Sequence, residues 1–310
     1  MQYIQDTMDI QLEEPSIVTL GKFDGFHRGH QKLISYCVQH KMQNEAAVVF
    51  TFSTSPQNFL TGRAGDQIVT RADKLRMAAE MGVDILIEYP FTDEVRRMPP
   101  VDFLEKVLIR RLNAKKIVVG PDCRFGYQGK GTAALLQQMA PRCGYELVVV
   151  EKEMHHGEEI SSTRIKACLR QGQIAEANRM LGYDFGITGP VVHGRQLGRT
   201  IGMPTINQEA PPEQVMPLAG VYHAEILLES RVWQGIANVG RKPTIEGERP
   251  VGVETYIFDF DQDIYGRTIR VNLLEFIRLE QKFESVEALK QQIRSNEAFV
   301  RGRITGKYFE

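Results

Sequence analysis

The stretch GKFDGFHRGH, Gly21 to His30, directly follows the apolar segment Ser16–Leu20 and decides how the first half of the chain folds. A glycine-rich segment between a buried strand and a helix is typical of phosphate-binding loops, because glycine lets a ligand approach the backbone. A helix beginning near His30 would add free N–H groups. The stretch therefore predicts a phosphate site that uses Gly21, Phe23, Gly25, Gly29, His27 and His30. The alternative is that the two imidazoles only fill polar turn positions.

Strands and helices alternate in the sequence up to about residue 183. Short apolar or β-branched segments predict the strands Ser16–Leu20, Ala46–Thr51, Ile85–Tyr89, Lys116–Val119 and Glu146–Val150. The segments between them predict the helices Gln31–His40, Arg71–Met81, Pro100–Leu112 and Thr132–Cys143. Nearly continuous apolar strands separated by helices favour a parallel sheet covered on both faces. Residues 1–183 are thus predicted to form an α/β domain with a Rossmann-like parallel sheet.

The pattern changes after residue 183, where extended segments follow one another without helices between them. These segments are Val191–Val192, Gly220–Leu228, Val232–Val239, Val253–Phe260 and Ile269–Ile277. Clustered strands separated by short turns predict an antiparallel sheet or small β-barrel over residues 184–310, of which we expect the barrel. A terminal helix follows, with Ser285 as its N-cap and Val286, Leu289 and Ile293 on one face. We expect the domain boundary near Tyr183–Gly186.

The composition is that of an ordinary soluble globular protein, without a strong electrostatic preference for a partner. The chain has 310 residues, 42% of them hydrophobic, and a formal net charge of -1. This balance argues against nucleic acid and anionic membranes as partners. No apolar segment reaches the roughly 20 residues of a membrane span, and the N-terminal residues do not resemble a signal peptide. Four dispersed cysteines argue against a disulfide framework and structural zinc, so we expect a cytoplasmic protein.

The first half of the sequence resembles a known family. HxGH after the first strand resembles the motif of the nucleotidylyltransferase superfamily. VVGPDCRFGYQGKGT (Val118–Thr132) and EEISSTRIKACLRQG (Glu158–Gly172) are similar to segments of the FAD synthetase module in bacterial bifunctional riboflavin kinase/FMN adenylyltransferases. The resemblance implies transfer of AMP from ATP to FMN. It places Ser162, Thr163 and Arg164 at the phosphates, and Asp122 and Arg124 at the flavin.

Adenylyl transfer of this kind suits the residue types of the first site. The attacking phosphate of FMN is already an anion, so the enzyme must supply alignment and charge stabilisation rather than a strong base. His27 and His30 suit that role, together with a metal ion on the triphosphate. Two alternatives stay open: the Ser-Ser-Thr segment merely caps a helix that starts near Arg164, and Asp122 with Arg124 forms an ordinary surface ion pair.

Several positions depart from the family pattern on the flavin side of the first site. Cys123 stands where the family usually has Phe, and Lys166 replaces the usual Arg after ISSTxI. Ser53 and Ser55 replace the Asp and His of the common TFDPHP segment. These departures leave open a kinase whose adenylyltransferase half is degenerate.

The second half resembles riboflavin kinase in the stretch GPVVHGRQLGRTIGMPTINQ, Gly189 to Gln208. A glycine-rich β-hairpin without catalytic function is the alternative. The resemblance places ATP phosphates at Gly194, Gly198, Arg199 and Gly202. Thr205 and Asn207 alternate across Ile206, so an extended segment points both to one face, where they would bind Mg²⁺.

Riboflavin phosphorylation also needs a base, because the 5′-hydroxyl loses a proton as it attacks the γ-phosphorus of ATP. By resemblance, Glu254 in VGVETYIFDF is this base, although alternation along the strand also permits a solvent-facing residue. NVGRKPTI and FIRLEQKFESVEAL match two further segments, and the latter places Arg278 and Glu280 against the flavin. Tyr265 and Gly266 are expected to be turn residues.

The resemblance as a whole implies a bifunctional enzyme that converts riboflavin to FMN and FMN to FAD. Its substrates and products would be riboflavin, FMN, FAD, ATP, ADP and pyrophosphate, with Mg²⁺ as the metal. One rival is a nucleotidylyltransferase for another phosphate compound, against which the kinase-like half argues. A second rival is a flavin-sensing regulatory protein, which would need neither metal ligands nor a base. A nucleic-acid-binding barrel is the third, and the near-zero net charge argues against it.

Overall fold

The computed structural model describes residues 1–54, 59, 66–194, 197–229, 231–241 and 251–306. Ser55 and residues 242–245 of the NVGRKPTI segment lie outside this part of the chain. The chain divides into two compact units, Met1–Ser162 and Thr163–Glu310. The division falls at the start of the helix Ser162–Arg170, so this helix and the next, Ile174–Leu181, are in the second unit although both lie within the predicted first domain, 1–183. The boundary at 183/184 stays a prediction.

The first unit contains a six-stranded parallel sheet with the strand order β1-β4-β3-β2-β5-β6, which confirms the predicted Rossmann-like α/β fold. Its strands are β1 Gln2–Gln5, β2 Ser16–Leu20, β3 Ala46–Phe52, β4 Ile85–Tyr89, β5 Ala114–Val119 and β6 Glu146–Val149. The helices are α1 Arg28–His40, α2 Arg71–Glu80, α3 Asp93–Arg97, α4 Pro100–Asp102, a π-helix Phe103–Arg111 and α5 Ala133–Cys143. The described part of this unit also contains a 3₁₀ turn at Tyr127–Gly129 and a small hairpin, β7 Met154–His155 with β8 Glu158–Glu159.

Both faces of the central strands β2, β3 and β4 are buried, as the apolar strands predict, whereas the edge strands β1 and β6 are partly exposed. Successive residues of β2 point to opposite faces: Val18 joins the larger core cluster, while Ile17 packs with Cys37 of α1 in the smaller one. The chain order along the sheet reverses between β2 and β5, since β3 and β4 lie on one side and β6 on the other. Ligands of open α/β sheets bind at the carboxyl ends of the strands at such a reversal. The glycine loop after β2 is at this edge.

The second unit contains a six-stranded antiparallel sheet with the order β10-β13-β12-β11-β14-β9. Its strands are β9 Gly186–Pro190, β10 Thr205–Glu209, β11 Gly220–Leu228, β12 Arg231–Arg241, β13 Val251–Ile257 and β14 Thr268–Arg278. The helices are α6 Ser162–Arg170, α7 Ile174–Leu181, α8 Leu197–Thr200 and α9 Val286–Gly306. The regular strand β9 pairs with β14 just before the predicted Val191–Val192, while Val192 itself forms an isolated bridge to Asn207.

The two end strands of this sheet approach each other, so the sheet forms a nearly closed barrel, as predicted. The Val192 N–H donates to the Asn207 carbonyl at 2.8 Å. The Gln208 amide donates to the carbonyls of Gly189 and Ile269 at 2.9 and 3.0 Å. The terminal helix packs Val300 against the outer face of the barrel, and Ser285 caps its first turn as expected.

None of the helices in the described ranges is long and apolar enough to cross a membrane.

Candidate active sites

The glycine loop of the first unit is held in an unusual backbone conformation. Phe23, Gly25 and Phe26 have φ angles of 44°, 86° and 40°. Left-handed conformations of bulky residues are costly and persist where surrounding packing enforces them. Both phenyl rings are fully buried, and a Cβ on Gly25 would lie 2.8 Å from the Ile68 Cδ1. The loop is therefore a preformed structure that requires glycine at position 25.

The two histidines of the HxGH motif lie face to face at the start of α1. Their rings stack with centroids 3.6 Å apart, and the His27 Nδ1 accepts from the His30 backbone N–H at 3.4 Å. A Cβ on Gly29 would lie 3.3 Å from the His27 Nδ1, so glycine leaves room for the imidazole. Because Nδ1 accepts, the proton of a neutral His27 is on Nε2. The helix begins at Arg28, two residues earlier than expected.

Burial keeps both imidazoles neutral at pH 7. It lowers the pKa of His27 to about 4, although the nearby Asp24 carboxylate acts in the opposite direction. Burial, and then the neighbouring His27, hold the pKa of His30 well below its ordinary value. The buried Nδ1 of His30 has no hydrogen-bond partner among the described residues. Each ring thus supplies one N–H donor rather than a positive charge, and a bound anion would favour protonation.

Ser162 brings the ISST segment to the glycine loop. Its hydroxyl donates to the Asp24 carbonyl at 2.8 Å, while the Asp24 carboxylate accepts from the Ile68 N–H at 2.8 Å. Helix α6 begins at Ser162 rather than near Arg164, which corrects the expected start. Thr163 is exposed and Arg164 half-buried in its first turn. The Ser162 hydroxyl thus fixes the loop in addition to starting a helix.

Asp122 pairs with a lysine that the sequence analysis did not single out. The Lys152 Nζ lies 2.9 Å from Asp122 Oδ2 and 2.5 Å from Glu159 Oε2. These two hydrogen bonds raise the pKa of Lys152. Arg124 is exposed and has no acidic partner within the described part of the chain, so the alternative Asp122–Arg124 pair does not form. Lys152 thus contacts both family segments, through Asp122 of the first and Glu159 of the second. No motif around Lys152 in the sequence indicates this role.

The departures from the family pattern have structural explanations at two positions. Burial, with Asp122 nearby, raises the pKa of the Cys123 thiol to about 12, and the side chain packs on the main core. Cys123 is thus an unreactive apolar filler at the position of the usual Phe. The Ser53 hydroxyl donates to the Asp6 carboxylate and so lowers the pKa of Asp6. Lys166 is half-buried in α6.

In the barrel, the predicted base and metal ligands lie together. The Thr205 hydroxyl donates to Glu254 Oε1 at 2.7 Å, and Asn207 lies directly opposite Glu254 across β10 and β13. Glu254 is half-buried, and both of its neighbours, Val253 and Thr255, are fully buried. Glu254 therefore points to the outer face of the barrel, into a polar cluster rather than into open solvent. Its oxygens and those of Thr205 and Asn207 are the hard ligands that Mg²⁺ prefers.

Two glycines of the second motif lie against this cluster. A Cβ on Gly194 would overlap the Asn207 amide, coming within 2.6 Å of Cγ. A Cβ on Gly198 would overlap the Met203 carbonyl and lie 3.2 Å from Thr205 Oγ1. Gly194 and Gly198 thus lie against Asn207 and Thr205, the predicted metal ligands, only because neither glycine has a side chain.

Other described residues of the second motif, and Tyr265 and Gly266 beside them, have the following positions. Gly202 occupies an open turn with φ 75°, and Arg199 is exposed. The His193 ring stacks on the Tyr265 ring at 3.8 Å, and the Gly266 N–H donates to the Val191 carbonyl at 2.9 Å. Tyr265 and Gly266 therefore hold the glycine segment in place, beyond the turn role expected from the sequence.

Glu280 and Arg278 lie at the end of β14. The Asn238 amide donates to Glu280 Oε1 at 2.9 Å, and Asn238 lies directly opposite Glu254 on the neighbouring strand. The Arg278 guanidinium donates to the Leu279 carbonyl at 2.9 Å. Burial lowers the pKa of Arg278, and Glu280 counteracts that effect. Asn238 thereby connects the proposed base to the proposed flavin residues.

Comparisons with known proteins match both units. A family model for FAD synthetase matches residues 9–164, and one for riboflavin kinase matches residues 181–303. The chain is 36% identical to the bifunctional riboflavin kinase/FMN adenylyltransferase of Escherichia coli (strain K12), over 93% of each chain. It is 30% identical to the protein of the same name from Pseudomonas fluorescens, over 97% of each chain. A crystal structure described as a macrolide-efflux protein from Streptococcus pneumoniae is 33% identical, with a TM-score of 0.87, covering 97% of this chain and 99% of that one.

Proposed function

This chain belongs to the family of bifunctional riboflavin kinases/FMN adenylyltransferases, and from that premise we propose which of its residues carry each reaction. The protein phosphorylates riboflavin to FMN through its riboflavin kinase region and adenylylates FMN to FAD through its FAD synthetase region. A flavin-sensing regulator is not favoured. We assign residues 1–183 and 184–310 to the two activities, an assignment supported by the kinase match, which starts at residue 181.

Glu254 is the proposed base of riboflavin phosphorylation. The observation that carries this proposal is the 2.7 Å hydrogen bond from Thr205 to Glu254, with Asn207 opposite on the same face. Glu254 takes the proton of the 5′-hydroxyl as that oxygen attacks the γ-phosphorus, and ADP leaves. Because the Thr205 hydroxyl donates to Glu254, its lone pairs are available to a cation.

Thr205 and Asn207 would hold Mg²⁺, which neutralises phosphate charge when bound. The phosphates of ATP lie along Gly194, Gly198, Arg199 and Gly202 in this proposal. Arg278 and Glu280 bind the flavin ring in this proposal. The Arg278 guanidinium supplies a cation and the Glu280 carboxylate an acceptor, both at the end of β14.

His27 and His30 are the proposed catalytic residues of adenylyl transfer. The phosphate of FMN attacks the α-phosphorus of ATP, and pyrophosphate leaves. The neutral His27 donates its Nε2–H to a phosphate oxygen, which fits a reaction that needs charge stabilisation but no strong base. Gly21, Phe23, Gly25 and Gly29 form the phosphate loop together with Ser162, Thr163 and Arg164. Asp122 and Arg124 bind the flavin of FMN.

We further propose a cytoplasmic location, without nucleic acid or membrane partners. All four cysteines are free thiols, which suits a reducing compartment. The net charge of -1 supplies no general attraction for polyanions.

The assignments are tested by incubating the protein with riboflavin, ATP and Mg²⁺ and separating FMN from FAD by chromatography. Glu254→Gln should abolish FMN formation but still convert supplied FMN to FAD. His30→Ala should do the reverse, accumulating FMN without FAD. If one of these substitutions stopped both reactions, the assignment of one activity to each half would be wrong. A fully active Glu254→Gln variant would exclude Glu254 as the base.

A further inference from the structure

Three polar side chains form a row across the outer face of the barrel. Asn207 on β10 pairs with Glu254 on β13, and Glu254 pairs in turn with Asn238 on β12. Directly paired residues of antiparallel strands share a face, and neighbouring strands are about 4.8 Å apart. We call these three residues the polar row. The metal ligand and the base of the proposed kinase occupy two of its positions, while Asn238 in the third has no assigned function.

The orientation of the Asn238 side chain follows from its contact with Glu280. A carboxylate only accepts, so the Asn238 nitrogen must face Glu280 Oε1, to which it donates at 2.9 Å. The Oδ1 of Asn238 therefore points away from Glu280, and no described residue donates to it. Gly240, two residues further along β12, provides the space for this carboxylate, since a Cβ there would overlap Oε1 and lie 2.6 Å from the Glu280 Cδ. Asn238 is thus a fixed acceptor between two functional carboxylates.

We propose that Asn238 determines substrate specificity in riboflavin phosphorylation by accepting a hydrogen bond from a hydroxyl of the ribityl chain. The inference rests on the proposed kinase function of the barrel. With the reacting 5′-hydroxyl at Glu254 and the flavin ring at Glu280, the chain that joins them must pass over Asn238, the third position of the polar row. That chain carries further hydroxyl groups, and Asn238 Oδ1 is the acceptor at this position.

The test compares kcat/KM for riboflavin with that for three analogues, each lacking one of the 2′-, 3′- or 4′-hydroxyls. The wild-type enzyme should lose about tenfold on one of the analogues, the effect of one hydrogen bond. Asn238→Ala should be about tenfold weaker on riboflavin and show no further loss on that same analogue. A variant that discriminates among the analogues as the wild type does would overturn the proposal. A merely structural role of Asn238 would lower all four values equally.

Gly240→Ala tests whether Glu280 orients Asn238. The added methyl displaces the Glu280 carboxylate and removes the contact that fixes the amide, so KM for riboflavin should rise and discrimination among the analogues should weaken. Adenylylation of supplied FMN by each preparation verifies that the chain is folded. Glu254→Gln, assayed in parallel, tests the base on its own. Kinase activity retained by Glu254→Gln would refute Glu254 as the base, but it would not change the comparison of the analogues. A wild-type protein that does not phosphorylate riboflavin would overturn both the proposed kinase function and the role of Asn238.

Discussion

Replacing Gly194 with alanine should selectively disable riboflavin phosphorylation. The added Cβ would lie 2.6 Å from the Asn207 Cγ, where ordinary contacts begin at 3.4 Å. The φ angle of Gly194 is outside the left-handed region, so the alanine backbone itself is unstrained. The Asn207 amide or the glycine segment must therefore move by about 1 Å, and misplacement on that scale costs about a hundredfold in rate.

The assay is a titration of FMN formation with MgCl₂ at saturating riboflavin and ATP. Gly194→Ala should need more Mg²⁺ for half-maximal activity and reach a lower plateau, because a displaced Asn207 can no longer complete the metal site. FAD formation from supplied FMN should be unchanged, since it depends on the other unit. Gly302→Ala is the matched control, because a Cβ at position 302 of α9 meets no atom within 4 Å. Wild-type kinase activity of Gly194→Ala at limiting Mg²⁺ would refute the placement of Asn207 at the metal.

Two further predictions concern the first unit. In NMR titrations the His27 ring should titrate near pH 4 and the His30 ring well below its ordinary value. Pyrophosphate should raise the pKa of His27, because an anion favours imidazolium. Titration of either ring near pH 6.5 without ligand would contradict the burial argument. Since His27 titrates below its unfolded value, its contribution of about 3 kcal/mol to stability is present above pH 6.5 and lost as the pH falls towards 4. Lys152→Met should raise KM for FMN up to about fivefold, since Asp122 loses a partly exposed ion pair, whereas Lys106→Met, which breaks another surface pair, should not.

The two proposed sites have different electrostatic requirements, and the residues assigned to each suit them. Burial removes the charge of the imidazoles in the first site, where the nucleophile is already an anion and needs only donors. The second site must deprotonate a hydroxyl, and there a carboxylate is kept half-exposed, with Thr205 donating to it. Neutral donors are thus assigned to the reaction that needs charge stabilisation, and a carboxylate to the reaction that needs a base.

Local features of the sequence determined the parts of the fold that depend on neighbouring residues. The buried strand before Gly21 and the glycines after it specify the loop and the start of α1, because strand burial, positive φ and helix capping are decided within a few residues. The alternation of Thr205 and Asn207 likewise places both on one face of a strand. The short edge strand β1 was missed, because its exposed polar ends give no amphipathic signal and only its pairing with β4 makes it a strand.

Strand register and charge pairing between distant segments were decided by the tertiary structure alone. Glu254 faces both Asn207 and Asn238 because of the register of three strands, which no periodicity within one strand reveals. Lys152 joins Asp122 across the chain for the same reason. The sequence shows which chemical groups lie at the end of each strand. The distances between those groups are set when burial of the apolar faces brings the strands together.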